Sequence, residues 1–72
     1  MTNEEKIALL EDMLELEAGT LVPETELSSV PEYDSMAKLS LIVLFDEECG
    51  KKLTGEMIRT FKTVGDILVA ME

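Results

Sequence analysis

The sequence predicts an all-α fold: a small antiparallel helical bundle with three principal helices, a short fourth helix, and a long loop between the first and second helices. Apolar residues recur at three- and four-residue spacing in three segments, and residues that cap or end helices separate these segments. No segment alternates apolar and polar residues as a half-buried strand does. Residues 1–72 are therefore predicted to form a single domain.

The first helix is predicted to begin after Thr2 or Asn3, because either side chain can cap a helix and acidic residues follow in the first turn. Gly19 is predicted to end it, because glycine readily adopts the left-handed conformation that follows many helices. The apolar positions expected on its buried face are Ile7, Leu9, Leu10, Met13, Leu14 and Leu16.

The long loop is predicted over residues 20–34, where Pro23, Pro31 and small polar residues interrupt the helical pattern. A loop of this length is unusual in a compact domain unless it carries function or packs with its own side chains. Leu27 and Val30 are predicted to anchor it to the core.

The second helix is predicted from Ser35 to Cys49, with Gly50 as the left-handed residue behind it and lysines near its negative end. One apolar stripe is expected to face the core: Leu41, Ile42, Phe45 and Cys49. A second stripe consists of Met36, Leu39 and Val43. Either this helix is covered on most sides, or the second stripe is exposed and contacts a partner; the small size of the domain favours exposure.

The last third of the chain is predicted to hold the short fourth helix and the third principal helix. The short element covers residues 53–61, with expected core contacts from Leu53, Met57, Ile58 and Phe61. The final helix is predicted to begin at Thr63, because Thr63 and Asp66 have the spacing of a capping box. Its expected buried stripe is Val64, Ile67, Leu68 and Met71.

The charge distribution restricts the class of partner. The net charge is −10, and the first 50 residues hold 13 acidic and two basic residues, whereas the last 22 hold three acidic and four basic ones. Such a surface repels nucleic acid and anionic lipid but attracts basic protein surfaces. Mimicry of nucleic acid is disfavoured because the acidic residues do not continue through the last helix. We therefore expect a basic protein surface as the partner.

Composition also predicts a cytoplasmic protein. One cysteine and no histidine exclude an intrachain disulfide and a Cys/His metal cluster. Residues 1–6 lack the basic and apolar regions of a signal peptide, and no apolar run reaches the roughly 18 residues of a membrane-spanning helix. We expect a monomer without membrane insertion, without a metal site and without catalytic residues.

Ser35 is the residue most suited to chemistry. It follows Asp34 at a predicted helix start, where a hydroxyl projects into solvent above the positive end of the helix dipole. It is a plain cap residue, an enzymatic nucleophile, or a residue that another enzyme modifies. A nucleophile needs an activating base, and Lys38 is the one basic residue nearby in the sequence. The pattern therefore favours modification.

Several segments support this interpretation when taken in order. They are residues 34–36 (Asp-Ser-Met), 41–42 (Leu-Ile), 45–48 (Phe-Asp-Glu-Glu) with Gly50, and 63–67 (Thr-Val-Gly-Asp-Ile). Together they resemble an acyl carrier protein or a peptidyl carrier domain, and the resemblance covers the chain from Glu4 to Met71. Met36 stands where that family usually has leucine, which is similar in volume and also apolar.

The resemblance implies a function without catalysis. Ser35 would carry a 4′-phosphopantetheine arm, attached by a phosphopantetheinyl transferase with magnesium, and Asp34 would cap the helix and help to meet that enzyme. The arm ends in a thiol that holds acyl or aminoacyl groups as thioesters for loading and processing enzymes. The residues expected to contact these partners are Met36, Leu39, Val43, Asp46 and Glu47.

Four further interpretations follow from the sequence. Residues 46–48 are interpreted as a solvated acidic face, because they lack the alternating ligands of a calcium loop. Cys49 is interpreted as a small buried hydrophobe. Acidic residues are missing from the first half of the second helix, which with the aromatic Tyr33 favours a specialised pathway over housekeeping fatty acid synthesis. The alternative function is a small acidic helical adaptor that binds partners through its apolar stripe and bears no prosthetic group.

Overall fold

The structure, a computed structural model, describes residues 2–72. Within this range there are four α-helices and no strand, so the predicted all-α class is confirmed. The helices are α1 (Asn3–Met13), α2 (Ser35–Leu44), α3 (Gly55–Thr60) and α4 (Val64–Ala70). A 3₁₀ turn, Leu27–Ser29, lies in the long loop, and α2 continues directly as a π-helical turn, Phe45–Cys49. None of the helices in residues 2–72 has the length and apolarity needed to cross a membrane.

Helix α1 begins as the sequence predicts. The Thr2 hydroxyl accepts a hydrogen bond from the Glu5 N–H at 3.2 Å, and the Glu5 carboxylate accepts one from the Thr2 N–H at 2.9 Å. This reciprocal pair is a capping box, which satisfies two N–H groups that have no partner within the helix.

The predicted end of α1 at Gly19 is wrong, because the helix ends at Met13. Glu15 adopts the left-handed conformation there, with φ +59°. The Leu16 N–H donates to the Glu11 carbonyl and the Glu15 N–H donates to the Asp12 carbonyl, at 2.8 and 3.1 Å. These two bonds form a Schellman motif, which uses the last helical carbonyls. The position usually held by glycine is here a glutamate, so no local residue pattern marks this helix end.

Two charged side chains of α1 are buried, which the sequence did not indicate. Lys6 is 4 % exposed, and its Nζ donates to the Leu68 carbonyl near the end of α4 at 3.3 Å. Glu11 is 5 % exposed, and its Oε2 accepts from the N–H groups of Gly19 and Leu21 at 2.9 and 3.1 Å. Each charge thus satisfies backbone groups of another segment, and together they attach α1 to α4 and to the start of the long loop.

The core follows the predicted apolar stripes closely. The buried apolar residues are Leu10, Leu14, Leu21, Leu27, Val30, Ala37, Leu41, Phe45, Leu53, Ile58, Val64, Ile67, Leu68 and Met71. The burial of both predicted loop anchors and of the whole predicted stripe of α4 is therefore confirmed. The prediction for Met57 is wrong, since this side chain is 38 % exposed. Ile58, which was also predicted to be buried, is the buried residue of the six-residue helix α3.

The long loop is attached to the beginning of α4. Three backbone hydrogen bonds make this connection: Leu27 N–H to Lys62 O at 2.9 Å, Val64 N–H to Thr25 O at 2.9 Å, and Gly65 N–H to Pro23 O at 2.8 Å. A Cβ atom on Gly65 would lie 3.1 Å from the Pro23 oxygen, so the glycine permits this close approach. The loop is therefore held by backbone contacts as well as by its buried anchors.

The far end of α2 is set by aromatic packing and by a glycine. Phe45 is fully buried, and its ring lies 6.5 Å from that of Phe61. Gly50 has φ +62°, the left-handed residue that the sequence predicts after this helix. Lys51 follows it, but its Nζ donates to the Ala70 carbonyl at the end of α4 rather than to α2.

Candidate functional site

Ser35 occupies the first position of α2 and is exposed. Asp34 precedes it with extended backbone, and its Oδ1 accepts a hydrogen bond from the Ala37 N–H at 2.9 Å. The predicted cap is therefore present, and caps of this type stabilise a helix by about 1 kcal/mol. The serine is left at the helix start with its side chain accessible to solvent.

The helix that presents Ser35 is anchored along one face. Ala37, Leu41 and Phe45 follow one another at four-residue spacing, and all three are buried in the core. The opposite side of the helix is free to face solvent. A reactive group on such an element is held in a defined position, because its backbone is fixed by packing.

An apolar stripe follows Ser35 on the exposed side of α2. Met36, Leu39 and Val43 are 74 %, 63 % and 53 % exposed, and their spacing places them along one face of the helix. We refer to these three residues as the exposed stripe. Their predicted exposure is confirmed, whereas their contact with partners stays a prediction. Large apolar side chains grouped on one exposed face mark an interaction surface more often than isolated ones do.

The acidic residues predicted to contact partners lie at the other end of the same helix. Asp46, Glu47 and Glu48 are all exposed on the π-helical turn that extends α2. The helical rise puts Asp46 roughly 16 Å from Ser35 along the axis.

Among residues 2–72 no group of three His, Cys, Asp or Glu side chains is placed to hold a metal ion. Cys49 is a half-buried free thiol.

A cleft of about 640 Å³ opens beside the start of α2. It lies between the long loop, α2, and the connection from α3 to α4, and we call it the Tyr33 cleft. Its walls include Leu27, Val30, Tyr33, Lys38, Phe61 and Lys62. The sequence did not predict this cleft, because it forms where three segments that are distant along the chain meet.

Tyr33 and Lys38 form the side of the cleft nearest to Ser35. The Tyr33 hydroxyl is buried and has no hydrogen-bond partner in the described part of the chain. Burial also raises the pKa of the Tyr33 phenol above its usual value of 10.0. The Lys38 Nζ lies 5.6 Å from the centre of the Tyr33 ring, within the range of a cation–π contact. In the sequence, the position of Lys38 three residues after Ser35 on a predicted helix was the one indication that this lysine lies beside the serine.

The structure thus brings Asp34, Ser35 and Met36 together at an exposed helix start and puts Asp46 and Glu47 at the opposite end of that helix. Compared with protein-family models, with curated proteins and with solved structures, the chain matches none. The arrangement presents one accessible hydroxyl, an apolar surface directly behind it, and a cleft at its side.

Proposed function

We propose that this chain is a discrete carrier protein that bears a 4′-phosphopantetheine arm on Ser35 and shuttles acyl or aminoacyl thioesters between partner enzymes. The pathway would be fatty acid, polyketide or related specialised biosynthesis. One observation carries the proposal: Ser35 is exposed at the first position of a helix capped by Asp34, directly before the exposed stripe. A modifying enzyme needs this access, and later partners need the adjoining surface.

The surroundings of Ser35 suit a phosphodiester. The first turn of a helix has N–H groups without intrahelical partners and the positive end of the helix dipole, both favourable to an anion. Lys38 lies one turn further along and adds a positive charge. Ser35 is thus the residue that would hold the prosthetic group, which when attached supplies a thiol for thioester formation.

The modification would use Ser35 as an acceptor only. Its Oγ forms a bond to the phosphorus of coenzyme A that carries pantetheine, while the pyrophosphate bond to adenosine bisphosphate breaks. The hydroxyl proton would pass to a base on the transferase. In this proposal the carrier contributes a nucleophilic oxygen and a rigid helix, and it catalyses no reaction itself.

Partner enzymes would dock along α2. The exposed stripe provides apolar contact area, and Asp46 and Glu47 provide carboxylates for cationic side chains of the partner. The net charge of −10 would also accelerate encounter with basic surfaces at low salt. The proposal includes an antiparallel arrangement of the three principal helices, a monomeric state and a cytoplasmic location.

The test is covalent modification followed by intact mass. Purified protein is incubated with coenzyme A, magnesium and a phosphopantetheinyl transferase of broad specificity, and its mass should rise by one phosphopantetheinyl group. Ser35→Ala should gain nothing. Ser40→Ala is the matched control, since Ser40 is also an exposed serine of α2, and it should be modified like the wild type. An unmodified wild type, or equal mass gain in Ser35→Ala, would refute the proposal.

The adaptor function remains the second candidate, because the exposed stripe is complete without any modification of Ser35. An adaptor would bind its partner equally well with Ser35→Ala and would gain no mass. A carrier would be modified, and its loaded form would release the acyl group when treated with hydroxylamine. The two functions therefore differ in both measurements.

A further inference from the structure

We propose that Met36 is a redox-sensitive modification site: hydrogen peroxide oxidises its thioether to the sulfoxide, and the sulfoxide reversibly weakens the docking of partner enzymes at Ser35. The effect on partners rests on the proposed function. The oxidation itself depends only on the exposure of the side chain, which already lies on the surface of the folded chain.

Exposure distinguishes Met36 from the other methionines of residues 2–72. It is 74 % exposed, and no large apolar residue in this range is more exposed. Met57 is 38 % exposed, Met13 is half-buried, and Met71 is buried in the core. Because peroxide must reach the sulfur atom, oxidation of a side chain follows its access to solvent. We therefore expect Met36 to react first and Met71 last.

The position of Met36 connects its oxidation to Ser35. Met36 is the next residue along the chain and the first member of the exposed stripe. Ala37, which follows it, is buried in the core, so Met36 provides the apolar surface of the first turn of α2. An enzyme that reaches the Ser35 hydroxyl from the exposed side of the helix therefore contacts this side chain.

The reaction balances with a peroxide as the only other reactant. The Met36 sulfur attacks one oxygen atom of hydrogen peroxide, the O–O bond breaks, and the sulfoxide and one water molecule form. The sulfur loses two electrons and the peroxide gains them. A methionine sulfoxide reductase reverses the change: two thiols are oxidised to a disulfide, and the sulfoxide oxygen leaves as water.

The sulfoxide changes the polarity of the exposed stripe without changing its charge. An apolar thioether becomes a polar group with a strong hydrogen-bond acceptor. On the free carrier water satisfies this oxygen, whereas an apolar surface of an enzyme leaves it without a partner, which costs free energy. Met36 is not part of the hydrophobic core, so oxidation should weaken docking without unfolding the chain.

The first experiment measures which methionine is oxidised. The protein is treated with a limiting amount of hydrogen peroxide, the peroxide is removed, and peptide mass spectrometry quantifies the sulfoxide at each position. Met36 should be oxidised faster than Met13 and Met57, and Met71 should be oxidised most slowly. If Met57 reacted as fast as Met36 or faster, Met36 would not be the sensitive site and the inference would be wrong.

The second experiment measures the effect on an enzyme that acts at Ser35. Untreated, oxidised and reductase-treated proteins are compared by the kcat/KM of an untreated phosphopantetheinyl transferase. Oxidation should lower kcat/KM about five- to fiftyfold, within the range that follows from one unpaired polar group at an interface. The reductase should restore it. The loss should persist at high salt, because no charge has changed, and thermal unfolding should stay the same.

Two variants control for oxidation elsewhere in the chain. Met36→Leu keeps an apolar side chain of similar volume but has no sulfur, so peroxide should leave its own kcat/KM unchanged. It retains Cys49 and the other methionines, so damage at any of them would appear as a loss in this variant. Met57→Leu is the matched control and should lose activity on treatment as the wild type does.

The outcomes separate this inference from the proposed function. If the untreated wild type gains no phosphopantetheinyl group, the proposed function is refuted, and the effect on docking with it. Modification that is equally fast before and after oxidation of Met36 would overturn the inference and leave the carrier function intact. An equal loss in Met36→Leu, or a loss that accompanies unfolding, would also overturn it. A reversible loss in the wild type and Met57→Leu, but not in Met36→Leu, would support it.

Discussion

The starts of α2 and α4 use the same local chemistry but have different surroundings. At α2 the Asp34 carboxylate accepts from the Ala37 N–H at 2.9 Å, and at α4 the Thr63 hydroxyl accepts from the Asp66 N–H at 3.3 Å. Either cap would be predicted from sequence alone. The first helical turns behind the two caps differ in how they contact the rest of the fold.

Helix α4 is integrated into the fold from its first residue. Val64, Ile67 and Leu68 are buried, and three backbone hydrogen bonds connect the long loop to this region. At α2 only Ala37 is buried in the first turn, while Ser35 and Met36 are exposed. Because its first two residues are exposed, the start of α2 remains accessible, and this difference explains why the candidate site lies on α2 and not on α4.

Core and surface substitutions should show the largest contrast between the two helices. Ile67→Ala removes a side chain that is 2 % exposed and should lower the free energy of unfolding by about 2–5 kcal/mol. Leu39→Ala, on the exposed stripe, should change it by no more than about 0.5 kcal/mol. Urea denaturation measures both. A large loss with Leu39→Ala would mean that the exposed stripe is packed, and the contrast between the helices would disappear.

Removal of the caps should have an intermediate effect. Thr63→Ala and Asp34→Ala should each lower the free energy of unfolding by about 0.5–2 kcal/mol. Thr63→Ala should in addition increase hydrogen exchange at the Leu27 and Val64 amides, which bond across the loop connection. Asp34→Ala should leave those two amides protected. Equal exchange in the two variants would show that the start of α4 is no more integrated than that of α2.

Two glycines provide a smaller test. Gly55→Ala adds a methyl group that meets nothing within 4 Å and should stabilise the protein by up to about 1 kcal/mol, since alanine favours helix. Gly65→Ala places the same group 3.1 Å from the Pro23 oxygen, which is fixed by its hydrogen bond to Gly65. We expect this variant to be less stable than the wild type by up to about 1 kcal/mol in thermal unfolding. Equal stabilisation by both would contradict close loop packing at α4.

The smallest expected effect is the pH dependence of the α4 cap. Hydrogen bonds from the N–H groups of Lys62 and Thr63 lower the pKa of Asp66 below its usual value of 3.8. Because the pKa is lower in the folded protein, Asp66 contributes stability that is present above pH 3.8 and lost as the pH falls through the folded value. Carboxyl ¹³C titration should show this shift, and Asp66→Asn should reduce the loss of stability in acid.

A normal titration of Asp66 would indicate that its two hydrogen bonds are not maintained in solution. The free energy of unfolding can also be measured against pH for Asp66→Asn and the wild type. If it decreases equally in both proteins as the pH is lowered through 3.8, the conclusion is the same. In either case the start of α4 would be less ordered than its contacts with the long loop require.

The sequence determined the features that depend on neighbours along the chain. The caps at Thr2, Asp34 and Thr63 are contacts between residues three positions apart. Helical spacing identified the buried apolar residues of the helices except Ala37, whereas the buried residues Leu21, Leu27 and Val30 belong to the long loop. For the same reason the position of Ser35 at the start of a helix was predictable. These features involve short separations, so the local residue pattern specifies them.

Only the tertiary structure decided the features that join distant segments. Lys6 reaches a carbonyl 62 positions away, and Glu11 satisfies the backbone of the loop that follows its helix. The Tyr33 cleft forms where residues from three segments converge. No short pattern encodes such contacts, because their free energy is available only once the separate elements have packed against one another.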